Sequence, residues 1–298
     1  MKVVRTSSQH HMYEYSVSTT LFSPSYSKVF TAGNNSGLVA TDAQKNAVYA
    51  VAKRTRADTP EQFGVDLVRH FLAEYPVLSR ARADVRMVVW DRAVVDGESH
   101  SHGWIKRGSE SPSAGVEMER EGGEGGEGGE VSVTARVGGW TVFKSTQSGF
   151  AGYLTDKYTL LPPCTERCLS TELSAEWKYS WKYSPASAAS AASAPGSGTP
   201  TFDFAGSRSA VMRELTRGVF GPAQVGVFSP SLQATIYDAA CLVLSSVPSI
   251  ASIKIDTPNK HYLPCLQLEE MGETFDNDIF VPTDEPSGTI TCTVAREA

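Results

Sequence analysis

A chain of 298 residues, 41% of them hydrophobic, holds enough apolar material for a sizeable core, and its length suits two domains. A formal net charge of −6 and a pI near 5.6 argue against a general polyanion binder, so nucleic acid is not an expected partner. No apolar run reaches the length of a membrane span and Met1-Lys2-Val3-Val4-Arg5-Thr6 has no signal-like apolar stretch; the expectation is a soluble, intracellular protein without membrane association.

In chain order, the first predicted element is a strand over Tyr15 to Leu21. A helix follows where Thr59-Pro60-Glu61-Gln62 supplies a cap, a proline at the first helical position and a glutamine at the capping-box position; Phe63, Leu67, Phe71 and Tyr75 recur on its apolar face. Val85 to Val95 reads as a β run. His100 and His102, two apart on a probable strand, point to one side and form at most half of a metal site; no acidic or cysteine partner stands at motif spacing, so a structural role is expected.

Glu119 to Glu130 repeats Glu-Gly-Gly and reads as a mobile acidic loop. Strands are predicted over Val131 to Val137 and Trp140 to Lys144. Five cysteines, Cys164, Cys168, Cys241, Cys265 and Cys292, do not make a secreted disulfide framework. Reduced thiols are expected, with Cys164 and Cys168, four apart and able to share a helical face, in structural roles. Trp177-Lys178-Tyr179-Ser180 is repeated as Trp181-Lys182-Tyr183-Ser184, beside a flexible Ala/Ser insertion from Pro185 to Pro200.

Ser229-Pro230 then starts a second helix with Leu232, Ile236, Ala239, Ala240, Val243, Leu244 and Val247 as its buried stripe, followed by strands at Ile253 to Ile255 and Thr289 to Val294. Strand pairs around helices, twice over, predict an α+β protein of two tandem modules, 1–137 and 138–298, each an antiparallel sheet with helices on one face.

Five side chains near element ends equip the second half to grip a flat, amide-edged anion. Phe150 offers a stacking face, Arg167 a planar fork of donors and Gln233 a carboxamide that matches a lactam edge; Asn259 and His261 complete the set. Singly, each has an ordinary role, as core residue, surface ion pair or backbone bridge.

Local strings add a family resemblance. Val39-Ala40-Thr41-Asp42 with Lys45-Asn46, Lys144-Ser145-Thr146-Gln147-Ser148-Gly149-Phe150, Leu169-Ser170-Thr171, Ser231-Leu232-Gln233-Ala234-Thr235 and Pro258-Asn259-Lys260-His261-Tyr262 resemble, in order, the signatures of urate oxidases. The resemblance covers nearly the whole chain apart from the two insertions and the extreme N-terminus. It implies the tunnelling fold, assembled as a homotetramer with sites at subunit interfaces. The implied reaction is cofactor-free and metal-free oxidation of urate by dioxygen to 5-hydroxyisourate and hydrogen peroxide.

Carried onto this sequence, the resemblance implies that Phe150 stacks on the purine and Arg167 clamps one edge. Gln233 pairs with the other edge, joined by the backbone of Leu232 and, from a neighbouring subunit, of Thr41 and Asp42. Asn259 would sit where dioxygen or water binds, and Thr41 with His261 would belong to a proton relay. Lys45 is expected to be a helix-face charge. The family's relay lysine falls before residue 1 as aligned, and Lys2 is not its match; a chain beginning at Met1 would keep the pocket and lose turnover, and an upstream start is the plainer expectation. A peroxisomal location follows from kinship, although Val294-Ala295-Arg296-Glu297-Ala298 is not the targeting tripeptide, and the cytoplasm is the alternative. A purine-binding oligomer without turnover, or a pterin-handling enzyme of the same fold, are the rival readings.

Overall fold

In the computed structural model, which describes residues 1–106, 108–123, 129–181, 202–283 and 285–297, the alternation around Tyr15 becomes a long strand, β2 (His11–Phe22). The central repeats of the acidic run, residues 182–184 of the aromatic repeat and the segment 185–200 lie outside the described residues. The chain divides into two units, one of Met1–Val137 with Trp177–Ser207, the other of Gly138–Glu176 with Arg208–Ala298.

In the first unit β2 lies between β1 (Lys2–Val4) and β3 (Arg80–Val88), with Val17 opposite Val85, and β3 pairs in turn with β6 (Ser111–Glu119), Ala83 opposite Val116. All three pairings are antiparallel. The apolar run from Val85 to Val95 is not one strand: it breaks between β3 and β4 (Trp90–Val95), which pairs with β5 (Glu98–Lys106) in a separate hairpin. Asp96 and Gly97 turn that hairpin with positive φ at both positions, the geometry that suits the twist of two strands.

Two helices complete this unit, α2 (Thr41–Arg54), which follows the short α1 (Ser27–Ala32), and α3 (Pro60–Glu74). The Thr59 hydroxyl accepts from the Gln62 amide at 3.2 Å, as the cap signal implied, and Phe63, Leu67 and Phe71 are fully buried where α3 packs on β3 and β6. Gly64 permits this approach, because a Cβ there would stand 2.5 Å from a Val116 methyl.

The two strands expected at Val131 to Val137 and Trp140 to Lys144 are one, β7 (Val131–Lys144), with a change of phase in the middle. Val131, Val133, Ala135 and Val137 are buried on odd positions, but Val142 and Lys144 are buried on even ones; Gly139, at φ 73, absorbs the slip. Strand β8 (Leu169–Tyr179) follows.

Helix α4 (Phe204–Phe220), which enters the second unit at Arg208, precedes α5 (Leu232–Ser246), and α5 packs on β9 (Ile250–Pro264) and β11 (Thr289–Ala295), which pair with Ile255 opposite Cys292. The predicted stripe from Leu232 to Val247 is buried. The cap of α5 is Ser231, whose hydroxyl accepts from the Ala234 amide at 3.1 Å, rather than the predicted Ser229; the Ser229 hydroxyl instead meets that of Thr235 at 2.6 Å. The strand predicted at Ile253 to Ile255 extends to fifteen residues and also carries β10 (Phe280–Thr283), His261 lying opposite Thr283.

The two units repeat one helix termination. Arg120, just past β6, donates from Nε to Leu78 O at 2.7 Å and from Nη2 to the carbonyls of Leu72 and Tyr75 at the end of α3. Arg296, just past β11, donates from Nε to Ile250 O at 2.8 Å and from Nη2 to the carbonyls of Leu244 and Val247 at the end of α5. Each guanidinium satisfies carbonyls that a helix leaves open and places its charge at the negative end of the helix dipole.

Candidate active site

The site starts from the loop after β7. Gln147 adopts a left-handed φ of 59, and the turn lets the next residues bond to two other segments at once. Gly149 N donates to Ser229 O at 2.9 Å, Ser229 N returns to Gln147 O at 2.9 Å, and Arg167 N donates to Ser148 O at 2.8 Å. Phe150 and Cys164 exchange two backbone bonds of 2.7 and 2.9 Å. Phe150, Arg167 and the approach to α5 are thereby held by one short backbone weave.

Phe150 and Arg167 line a cavity of about 360 Å³ together with Leu232, Asn259 and His261. The Arg167 guanidinium carbon lies 5.5 Å from the centroid of the Phe150 ring, and Tyr153 stacks on that ring at 4.7 Å with the planes 14° apart. Arg167 Nε is buried and has no hydrogen-bond partner among the described residues. A buried guanidinium N–H without a partner is costly.

Asn259 and His261 reach the cavity because they are two apart on β9, so their side chains share a face. Asn259 N bonds to Gly288 O at 2.9 Å and the Thr171 hydroxyl to Pro258 O at 2.7 Å, which fixes the strand where it passes the cavity. Under the loop, the Lys144 ammonium is buried and donates to Val227 O at 2.6 Å; burial pulls its pKa below the ordinary lysine value, against the opposing pull of Glu166.

Comparison with known proteins bears on this geometry. The uricase family model matches residues 1–117 and 134–291. The chain is 36% identical over 291 residues to a uricase of Arabidopsis thaliana, covering 96% of this chain and 88% of that one, and 29% identical to a uricase of Danio rerio, covering 100% and 91%. The crystal structure of a uricase from Arthrobacter globiformis superposes with a TM-score of 0.81 at 31% identity, over 99% of this chain and 90% of that one.

The chain belongs to the uricase family. Its fold is the α+β tunnelling fold and its reaction is the oxidation of urate, which is favoured over the pterin-handling and non-catalytic alternatives.

The other predicted residues fall as follows. Thr41 and Asp42 are exposed in the first turn of α2, in the first unit, with Asp42 Oδ2 accepting from Asn46 at 3.0 Å. Gln233 is exposed in the first turn of α5, one residue beyond Leu232, and does not line the cavity. Lys45 is exposed on α2. Lys2 donates to the carbonyls of Ala52 and Thr55 at the opposite end of α2 from Thr41, a helix length of roughly 20 Å away at 1.5 Å per residue.

Cys164 and Cys168 do not share a helix. They sit in the extended approach to β8, where Cys164 Sγ donates to Glu166 O at 2.9 Å, and both border the cavity. Burial, then Glu166, pushes the Cys168 thiol pKa up, which keeps it protonated. The rings of His100 and His102 are 4.5 Å apart on β5, with His10 5.9 Å from His102; among the described residues no three His, Cys, Asp or Glu side chains are placed to hold a metal ion. Among the described residues no helix is long and apolar enough to cross a membrane. Phe280 and Asn277 also line the cavity and were missed, because a loop and a four-residue strand carry no periodic signal.

Proposed function

We propose that urate lies in the cavity flanked by Phe150, with the Arg167 fork on one edge of the purine and the backbone of Leu232 on the other, where the exposed Gln233 carboxamide, which stands outside the cavity lining, turns in to pair with it. The observation that carries this reading is the convergence of Phe150, Arg167, Leu232, Asn259 and His261 on one cavity, with the Arg167 guanidinium carbon 5.5 Å from the centroid of the Phe150 ring. A planar oxopurine anion offers both acceptors for the guanidinium and a face on which the ring stacks.

Asn259 holds dioxygen, then water, over the ring, and His261 with Thr41 moves the proton whose loss makes urate reducing enough to hand electrons to dioxygen. One urate, one dioxygen and one water give 5-hydroxyisourate and hydrogen peroxide. The protein supplies orientation, charge stabilisation and proton transfer. Thr41 and Asp42 serve a site whose Arg167 belongs to another copy, so the working form holds at least two copies; the family resemblance makes it a homotetramer, in the peroxisome. The exposed Leu154, Tyr158 and Leu160, and the exposed Leu266 and Met271, supply apolar surface for such assembly. The matched termination of α3 by Arg120 and α5 by Arg296 supports the reading of two modules of one plan.

Kinetics test the binding mode. Arg167→Gln is expected to lower kcat/KM for urate by roughly a hundred- to a thousand-fold, the cost of two charge-assisted bonds, followed as loss of urate absorbance with oxygen consumption. An Arg167→Gln chain within threefold of wild type would remove Arg167 from the site.

A further inference from the structure

The loop that carries Phe150 is tied to its neighbours by two side chains that the urate contacts do not use. One carboxylate oxygen of Glu166 accepts from the Thr146 hydroxyl at 2.6 Å and from the Gln147 backbone N–H at 3.0 Å. The Gln147 carboxamide then donates to Val225 O at 2.7 Å, and the Gln147 backbone carbonyl takes the Ser229 N–H. Glu166 precedes Arg167, and residues 225–229 lead through the Ser231 cap to Leu232 and Gln233. The link thus runs from the arginine, through the loop of Phe150, to the start of α5.

Gly226 shows how closely the parts fit. It has a φ of 72, and a Cβ built there would stand 2.2 Å from Gln147 Oε1, so the carboxamide occupies the space a side chain would need. Gln147 itself is held at a positive φ uncommon for a residue with a side chain. Such a backbone persists only where surrounding bonds over-determine it, and here Glu166 and Ser229 supply them.

We propose that Glu166 and Gln147 are positioning residues: a clamp that sets the separation between the Arg167 fork and the N-terminus of α5, and so the width of the slot into which the purine edge fits. The inference rests on the urate-binding reading above. The clamp acts through acceptors rather than charge, because both Glu166 bonds are donated to it. A glutamine keeps the accepting oxygen and an alanine does not, while both remove the carboxylate beside Arg167.

The clamp does not include β9, which carries Asn259 and His261, so its loss affects binding before chemistry. Glu166→Ala is expected to raise KM for urate by about tenfold or more with kcat within about twofold, and Glu166→Gln to keep KM within about threefold of wild type. Gly226→Ala, which pushes the Gln147 carboxamide off Val225 O, is expected to reproduce the rise in KM. With an active wild-type chain, equal KM values for wild type, Glu166→Ala and Glu166→Gln, or equal impairment of both variants, would overturn the clamp. Where Glu166→Ala does not fold, the KM of Gly226→Ala decides, a rise supporting the clamp and an unchanged value overturning it. A wild-type chain that leaves urate unchanged would overturn the parent reading and the clamp with it.

Discussion

Asp66, on α3, shows how a single half-buried carboxylate shapes stability. Burial holds its pKa above the ordinary range, against hydrogen bonds from Gln62 and Thr55 that pull the other way. The folded chain therefore keeps this proton to a higher pH than the unfolded chain does. The stability it contributes is present in acid and is lost as pH rises from the unfolded value through the folded one. Asp66→Asn removes the charge and keeps an oxygen for the Gln62 amide, now 2.9 Å from Oδ1. We expect Tm to rise by about 2–4 °C at pH 7, with the gain shrinking as pH falls toward 4; a lower Tm at pH 7 would contradict this. Not every such residue is visible in a sequence. Phe150, Arg167, Asn259 and His261 stood out because their side-chain types match a flat anion, and all but Arg167 lie in strings that occur in family order. Glu166 did not, and Gln147 lay unremarked within one of those strings, since their bonds are to backbone groups and any polar residue offers that chemistry.

At the scale of elements, the ends of α3 and α5 carry a matched prediction. Arg120→Met and Arg296→Met each keep the aliphatic stem and remove the guanidinium from three carbonyls, so each is expected to cost about 1–3 kcal/mol in denaturant unfolding. A loss at one position and none at the other would show that the two terminations are not equivalent. The helices themselves were largely legible: the Thr59 cap and the buried stripe of α5 follow from local pattern. The reading placed the α5 cap two residues early because Ser229 and Ser231 are both good caps, and only tertiary bonding to Thr235 separates them. It passed over α4, whose buried Val211, Leu215 and Val219 recur every four residues among glycines and serines that weaken the helix signal. The phase slip in β7 was also hidden, because Gly138-Gly139 reads as a break between strands until neighbouring strands pair on both sides of it.

For the whole molecule, the proposal is that urate oxidation takes place where the Phe150 and Arg167 cavity of one copy meets Thr41 of another. The family resemblance links these residues in one reaction, but a site shared between copies, as proposed, would leave no periodicity or spacing in a single chain. Co-expression of Thr41→Val chains with Arg167→Gln chains, measured as urate turnover per site, tests the claim most directly. Random mixing leaves about a quarter of the sites with both native groups if the two come from different copies, so mixed assemblies should regain about a quarter of wild-type activity although each variant by itself is nearly inactive. Mixed assemblies no more active than the separate variants, or separate variants as active as wild type, would contradict the account.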